Sequence, residues 1–478
     1  VDRLTKGCET EELVQKASQG KSKPDISNLR NCVDDVKKAA LDSDPGPEDP
    51  LDYSKLRGRL EACREKLPPL YREEIFNPFV GKLDQLGQTG FTRVLLSDPR
   101  KEGAAGLMLD IAQTILQNGE GYNEKGTDAF QEVVSDLYDG FLSAEDRRGV
   151  KPPDKGVIPP LVKWGNPDFG PYTWPVDASS SFGAHAGIVS LPPANARHGL
   201  MAWAAVGHET GGHDILGADT GLREELSQSV RTALQANKIG NCFPDYWASR
   251  IDETASDALG ILNIGPAAGI GIIGYFRGLN AAYSGKPALR NDGPEDDPHP
   301  ADILRGYLAS STVSLLSFSG AGDWAKIIAS ETDKDLGKIR LEGTVVNTEA
   351  AKRSAEIVAA TLVKSKMKSL ENHALGEIQN WRNRDEKTAR QLGSIMTSAG
   401  QTPSRLASGI YAAHAVAAAV MSALAKDADV QLIFNRMLDI LKIMHNANPS
   451  WGPLYVMHPG DLVARMAYFR DNGTDGRE

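Results

Sequence analysis

A chain of 478 residues has the length of about three ordinary domains or two large lobes, enough to bury a real core. With 41% hydrophobic and 24% charged residues it is neither disordered nor fibrous, and 63 acidic against 53 basic residues (net −10) argue against gripping a nucleic acid backbone or an anionic membrane. Four cysteines are too few for a disulfide scaffold, and 6% aromatics beside 47 glycines point to a helical core of small side chains.

From the N-terminus, Leu13 and Ala17, then Val33, Val36 and Ala40, lie at helical spacing. Residues 43–50, Ser-Asp-Pro-Gly-Pro-Glu-Asp-Pro, read as a linker, because prolines and a glycine cannot continue a helix. Further helices fit 53–73, 104–117 and 127–142. Character changes at Arg147, after which the chain is rich in Pro, Gly and Trp as far as Pro193. Within that stretch, residues 186–191, Ala-Gly-Ile-Val-Ser-Leu, make the best short strand. Helices resume at Gly199, pause at the loop 284–298 and run on; Thr402-Pro403 signals one helix start. Two apolar runs, 258–276 and 408–425, approach membrane-spanning length. The first contains Asn263, Pro266 and five glycines, and the second carries His414, so both read as buried helices.

The expected organisation is a helical N-terminal region (1–150), a metal-binding core with a small sheet (151–320) and a helical C-terminal region packed on it (321–478). The fold class is mainly α (α+β). Cys8, Cys32 and Cys63 cluster near the start, with Cys242 far off. Such a cluster can staple a hairpin in an oxidising compartment, which leans the expectation toward an extracytoplasmic protein. The alternative is buried free thiols.

The chemistry concentrates in Gly207-His208-Glu209-Thr210-Gly211-Gly212-His213-Asp214. This is the zinc-binding H-E-x-x-H helix motif with one extra residue. Histidines four apart are about 40° apart around a helix, whereas five apart they are about 140° apart. Either the helix widens by a π-type turn at the glycine pair, or it ends there and His213 comes from a turn. Glycines inside a helix cost about 1 kcal/mol each relative to alanine, so something must offset them. A second helix follows, with Asp252-Glu253-Thr254-Ala255-Ser256-Asp257. Glu253 and Asp257, four apart, share a face. Glu253 suits a third metal ligand, and Asp257 suits the spare N–H of a ligand histidine. Two histidines and one carboxylate leave a position open for water, as catalytic zinc sites do. The alternative is an acidic face in water, but Ala255, Ala258 and Leu259 make the helix look half buried.

Together the two segments resemble the gluzincin class of metallopeptidases, and their extra residue is similar to the H-E-x-x-G-H variant of the dipeptidyl peptidase III family. The resemblance covers these two motifs. It implies a zincin-like catalytic core, His208, His213 and Glu253 as Zn²⁺ ligands, and Glu209 as general base. A competing register, His208 and His213 followed by Asp219, resembles the metzincin pattern and would make Asp219 the third ligand.

The expected activity is therefore zinc-dependent hydrolysis of peptide bonds, with Glu209 acting as base on a metal-bound water and a peptide or protein as substrate. The strand 186–191 would be the edge that pairs with an extended substrate, or else an ordinary core strand. Downstream, Asp297-Pro298-His299-Pro300 and Tyr307 are the candidates for stabilising an oxyanion. A similar phrase, His458-Pro459-Gly460-Asp461, recurs near the C-terminus, and both also read as helix starts. His185 and His198 bracket the strand as candidate cleft residues; His373, His414 and His445 have no special context. No phosphate-cradling or nucleophile-elbow motif is present. The alternatives are a non-catalytic zincin-fold binding module and a metal-dependent enzyme on a non-peptide substrate.

Overall fold

Leu29, Cys32, Val33, Val36 and Ala39 bury one face of the first helix, α1 (Leu29–Ala40), as their spacing requires. The computed structural model describes residues 23–142, 150–151, 153–155, 158–240, 242–398, 406 and 409–452. Leu13, Ala17, Cys8, the Thr402-Pro403 helix start and the 458–461 phrase lie outside the described residues. The protein is 66% helical, with two small three-stranded sheets among the described residues, so the class is mainly α.

The N-terminal helices are α2 (Tyr53–Cys63), α3 (Asn77–Ser97), α4 (Ala104–Glu120) and α5 (Glu124–Leu142). The expected single helix over 53–73 is broken. Pro68-Pro69 ends it, and the chain re-enters α3 through a wide π-type turn at Arg72–Phe76. Strands β1 (Ile158–Trp164), β2 (Tyr172–Trp174) and β3 (Ala186–Leu191) form the first sheet in the order β1-β3-β2, with β1 parallel and β2 antiparallel to β3. Strand 186–191 thus lies where expected, but at the sheet's centre; the edge-strand reading of it is overturned. Strand β1 escapes the sequence reading because Pro159 and Pro160 sit inside it. An edge strand tolerates proline. Its free side is sealed by amide side chains: Gln117 and Asn118 donate to Trp164 and Val162 carbonyls at 3.0 and 3.1 Å, and Gln131 to Pro160 at 2.9 Å. Among the described residues, the edge without a further backbone partner is β2. Successive residues of β3 alternate between two cores. Ile188 packs with α2–α4, while Val189 packs into the main core that runs on to the C-terminal helices.

Next come α6 (Leu200–His213), α7 (Leu222–Ala236), α8 (Phe243–Ser249), α9 (Ile251–Ile264) and α10 (Pro266–Tyr283). The apolar run 258–276 is split at Gly265 between α9 and α10. Gly265 has φ +71°, and a Cβ there would lie 2.5 Å from the Trp381 ring. No helix among the described residues is long and apolar enough to cross a membrane. Helices α11 (Asp302–Ser314), α12 (Ala321–Lys334), α13 (Thr348–Lys364), α14 (Asn383–Thr397), α15 (Ala412–Ala423) and α16 (Val430–Ala447) follow. Cys32, Cys63 and Cys242 are free thiols, so they form no staple with one another. Cys32 points at the Ala423 carbonyl, and Cys63 packs under Gly119.

Candidate metal centre

Helices α6 and α9 cross in close contact. A Cβ on Gly207 would lie 3.1 Å from the Gly260 Cα, and one on Gly212 only 2.4 Å from the Ser256 Cα. Helix α6 is α-helical through both glycines to His213, so neither the π-type turn nor an early helix end is found. The glycine at 212 is explained by packing: it lets the two helices touch.

The two histidines still converge. Their rings are edge to face, with centroids 5.2 Å apart. His213 is the last α-helical residue, before a 3-10 turn at Ile215–Gly217, and its ring is drawn toward α9 by Asp252. Glu253 reaches across from α9. Its Oε2 lies 3.0 Å from His208 Nε2 and its Oε1 3.4 Å from His213 Nε2. One ligand atom from each of His208, His213 and Glu253 falls within 4.8 Å of the others, a group that could hold a metal ion. Glu253 Oε2 is buried and makes no well-aligned hydrogen bond, as a carboxylate oxygen meant for a cation would.

The outer nitrogens are held separately. His208 Nδ1 is 2.8 Å from Asp257 Oδ1, and His213 Nδ1 is 2.7 Å from Asp252 Oδ2. Both inner nitrogens therefore face the cluster. Arg305 donates to both Asp257 oxygens at 2.7 Å, and Arg223 pairs with Asp252 and with the His213 carbonyl. Electrostatics follow from these neighbours. Burial opposes charge on His208, yet its hydrogen bond to Asp257 and the adjacent Glu253 carboxylate carry it up to about 10. Burial also opposes charge on Glu253, but the His208 and His213 rings hold its carboxyl well below the usual range. Asp257 is likewise lowered, against burial, by Arg305 and His208.

Glu209 is buried beside this group. Thr173 Oγ1, on the open edge strand β2, lies 3.1 Å from both its carbonyl and its Oε2. His299 is also brought in: its Nε2 is 3.5 Å from Glu253 Oε2, and its Nδ1 is 2.8 Å from Asp297. Arg250 ties this loop down through the Pro294 and Asp297 carbonyls. Two sequence candidates are elsewhere. The Tyr307 hydroxyl donates to Asp333 at 2.8 Å, because two residues along α11 turn it about 200° from Arg305. Asp219 lies near Lys151, 3.5 Å away, and outside the histidine–glutamate group.

Sequence reasoning gave no role to Asp252, Arg305, Arg223, Thr173 or Tyr275. Arg305 had a signal: an arginine between Leu304 and Leu308 on a buried helix needs a carboxylate. Tyr275 had none; burial, then the Glu209 charge, pushes its phenol up. No protein-family model, curated protein or solved structure matches this chain.

Proposed function

We propose that the protein is a zinc-dependent hydrolase of peptide bonds, as the gluzincin resemblance implies. The observation that carries this reading is the convergence of His208, His213 and Glu253, each imidazole oriented by its own aspartate, with the Glu209 carboxyl alongside. His208, His213 and Glu253 would hold the ion. When bound, zinc supplies a Lewis acid and a water of lowered pKa. Glu209 accepts the proton of the attacking water at its carboxylate and returns it to the leaving nitrogen. Thr173 fixes the rotamer of Glu209 through Oγ1. His299, with Nδ1 on Asp297, turns Nε2 toward the group and, when protonated there, donates to the developing oxyanion. The open edge of β2 gives an extended peptide a partner next to Glu209.

The test is elemental analysis followed by hydrolysis of a peptide library. The expected result is about one zinc per chain and cleavage that Glu209→Gln removes with zinc retained. A second reading, a closed site in a binding module, draws on the approach of His299 Nε2 to Glu253. A fourth protein ligand would fill the position that catalysis leaves open. Bound zinc without cleavage of any peptide would favour it.

A further inference from the structure

A cavity of about 1080 Å³ lies behind β2, walled by the linker 43–50, the loop around Arg100 and the ends of β1 and β2. Side chains alternate along a strand. Thr173 faces Glu209, and its neighbours Tyr172 and Trp174 line the cavity. The strand that touches the base is thus also a cavity wall.

Two features define what the cavity accepts. The first is an aromatic ladder. Phe169, Tyr172 and Trp174 stack edge to face, with centroids 6.3 and 6.4 Å apart. Its geometry is fixed by Asp110, a buried carboxylate on α4 that accepts from Tyr172 Oη at 2.7 Å, Trp174 Nε1 at 2.8 Å and the Lys163 ammonium. The Lys163 charge cancels that of Asp110, so the floor is neutral. The second feature is the mouth. Asp49 is paired with Lys101 and Asp42 with Arg197. Among the described residues, Glu48, Glu102 and Asp168 line the cavity with no ion pair, against the single guanidinium of Arg100. Lys163 Nζ already lies over the Tyr172 ring, 5.9 Å from its centroid, which leaves Phe169 and Trp174 under the anionic rim as the rings for an incoming cation.

We propose that this cavity is the specificity subsite of the metal centre and that it takes a lysine or arginine side chain of the substrate. The proposal rests on the hydrolase reading for its link to cleavage, but the subsite can be tested without it. A peptide extended along the β2 edge projects alternate side chains to the two faces of that strand, so a side chain next to the one over Glu209 enters the cavity.

The experiment uses the full chain and blocked octapeptides of alanine carrying one arginine, lysine, norleucine or glutamate. Binding to the zinc-free protein is measured by calorimetry and by tryptophan fluorescence, and cleavage by the zinc-loaded protein in parallel. The arginine and lysine peptides should bind about fivefold tighter than the norleucine peptide. That preference should shrink with salt and fall toward unity in the triple variant Glu48→Gln, Glu102→Gln, Asp168→Asn, whose exposed substitutions leave the fold intact. Equal binding of norleucine or glutamate peptides overturns the proposal, as does an arginine preference that survives the triple variant. Cleavage without a basic preference sinks the subsite and leaves the hydrolase standing. A basic preference in binding without any cleavage does the reverse.

Discussion

Gly212 of α6 lies so close to Ser256 of α9 that a Cβ on the glycine would sit 1.4 Å from the serine Oγ and 2.4 Å from its Cα. This contact holds the helix bearing both histidines against the helix bearing Glu253. The clash involves backbone, so rotation of the serine side chain cannot relieve it. Gly212→Ala should cost about 3 kcal/mol, the upper part of the range for overpacking, and should weaken zinc binding as the helices separate. Thermal unfolding and zinc titration of the variant check both. An unchanged melting temperature would mean that the helices do not meet at this point.

How the site was legible follows from the same contact. The H-E-x-x-x-H and E-x-x-x-D spacings name the ligands and one aspartate partner, because on helices residue spacing translates directly into a shared face. Taken on a single helix, the glycine pair suggests a wide turn or a helix end. Their role at Gly212 lies in a neighbour 44 residues away. The sheet was half legible for a similar reason. The apolar run of β3 is a buried-strand signal, whereas Pro159 and Pro160 disguise β1, and nothing in a three-residue segment marks β2 as the open edge. Tyr307 was chosen for its chemistry and its distance along the chain; its position on α11, two residues from Arg305, turns it to Asp333.

Asp257 separates orientation from mere charge. It accepts from the His208 ring and from both arms of Arg305, all buried. Asp257→Asn keeps the shape and removes the charge, and zinc affinity should drop about 10- to 100-fold. Asp257→Ala should also destabilise the zinc-free protein by about 3–5 kcal/mol, since Arg305 is left buried and unpaired. Replacing Arg305 by Met in the Asp257→Ala background should restore much of the stability and none of the affinity. Competition with a zinc chelator and urea unfolding measure the two effects independently. Recovery of affinity in the double variant would refute the orienting role.

His299 and Tyr307 make a matched pair of tests. His299→Ala should lower kcat about a hundredfold while leaving zinc bound, if its imidazole serves the oxyanion. Loss of the metal would instead identify it as a ligand and favour the closed-site reading. Tyr307→Phe removes one hydrogen bond, to Asp333, and should cost about 1 kcal/mol of stability with kcat unchanged. A large fall in kcat for that variant would show that the hydroxyl reaches the chemistry.

The pH dependence of zinc binding follows from His208. In the zinc-free protein the Asp257 hydrogen bond and the adjacent Glu253 carboxylate overcome burial and raise the ring to about 10, so it is protonated at neutral pH. Zinc requires the neutral imidazole, so binding must expel that proton. Apparent affinity should then rise by about tenfold per pH unit for the His208 proton from pH 7 to 9, and more steeply where His213, also raised, loses its proton, whereas an ordinary histidine, with a pKa of about 6.5, would give a plateau above pH 7. The sign for stability is the opposite. A histidine whose folded pKa is raised stabilises the zinc-free fold fully below pH ~6.5 and loses that contribution as pH climbs through about 10. The zinc-free protein should therefore melt at progressively lower temperature between pH 7 and 10, and the stabilisation on adding zinc should grow over the same range. Calorimetric titration in buffers of different ionisation enthalpy counts the expelled protons, and thermal unfolding with and without zinc reads the linkage. A zinc affinity that levels off above pH 7 would show that His208 is not held protonated by its carboxylate neighbours.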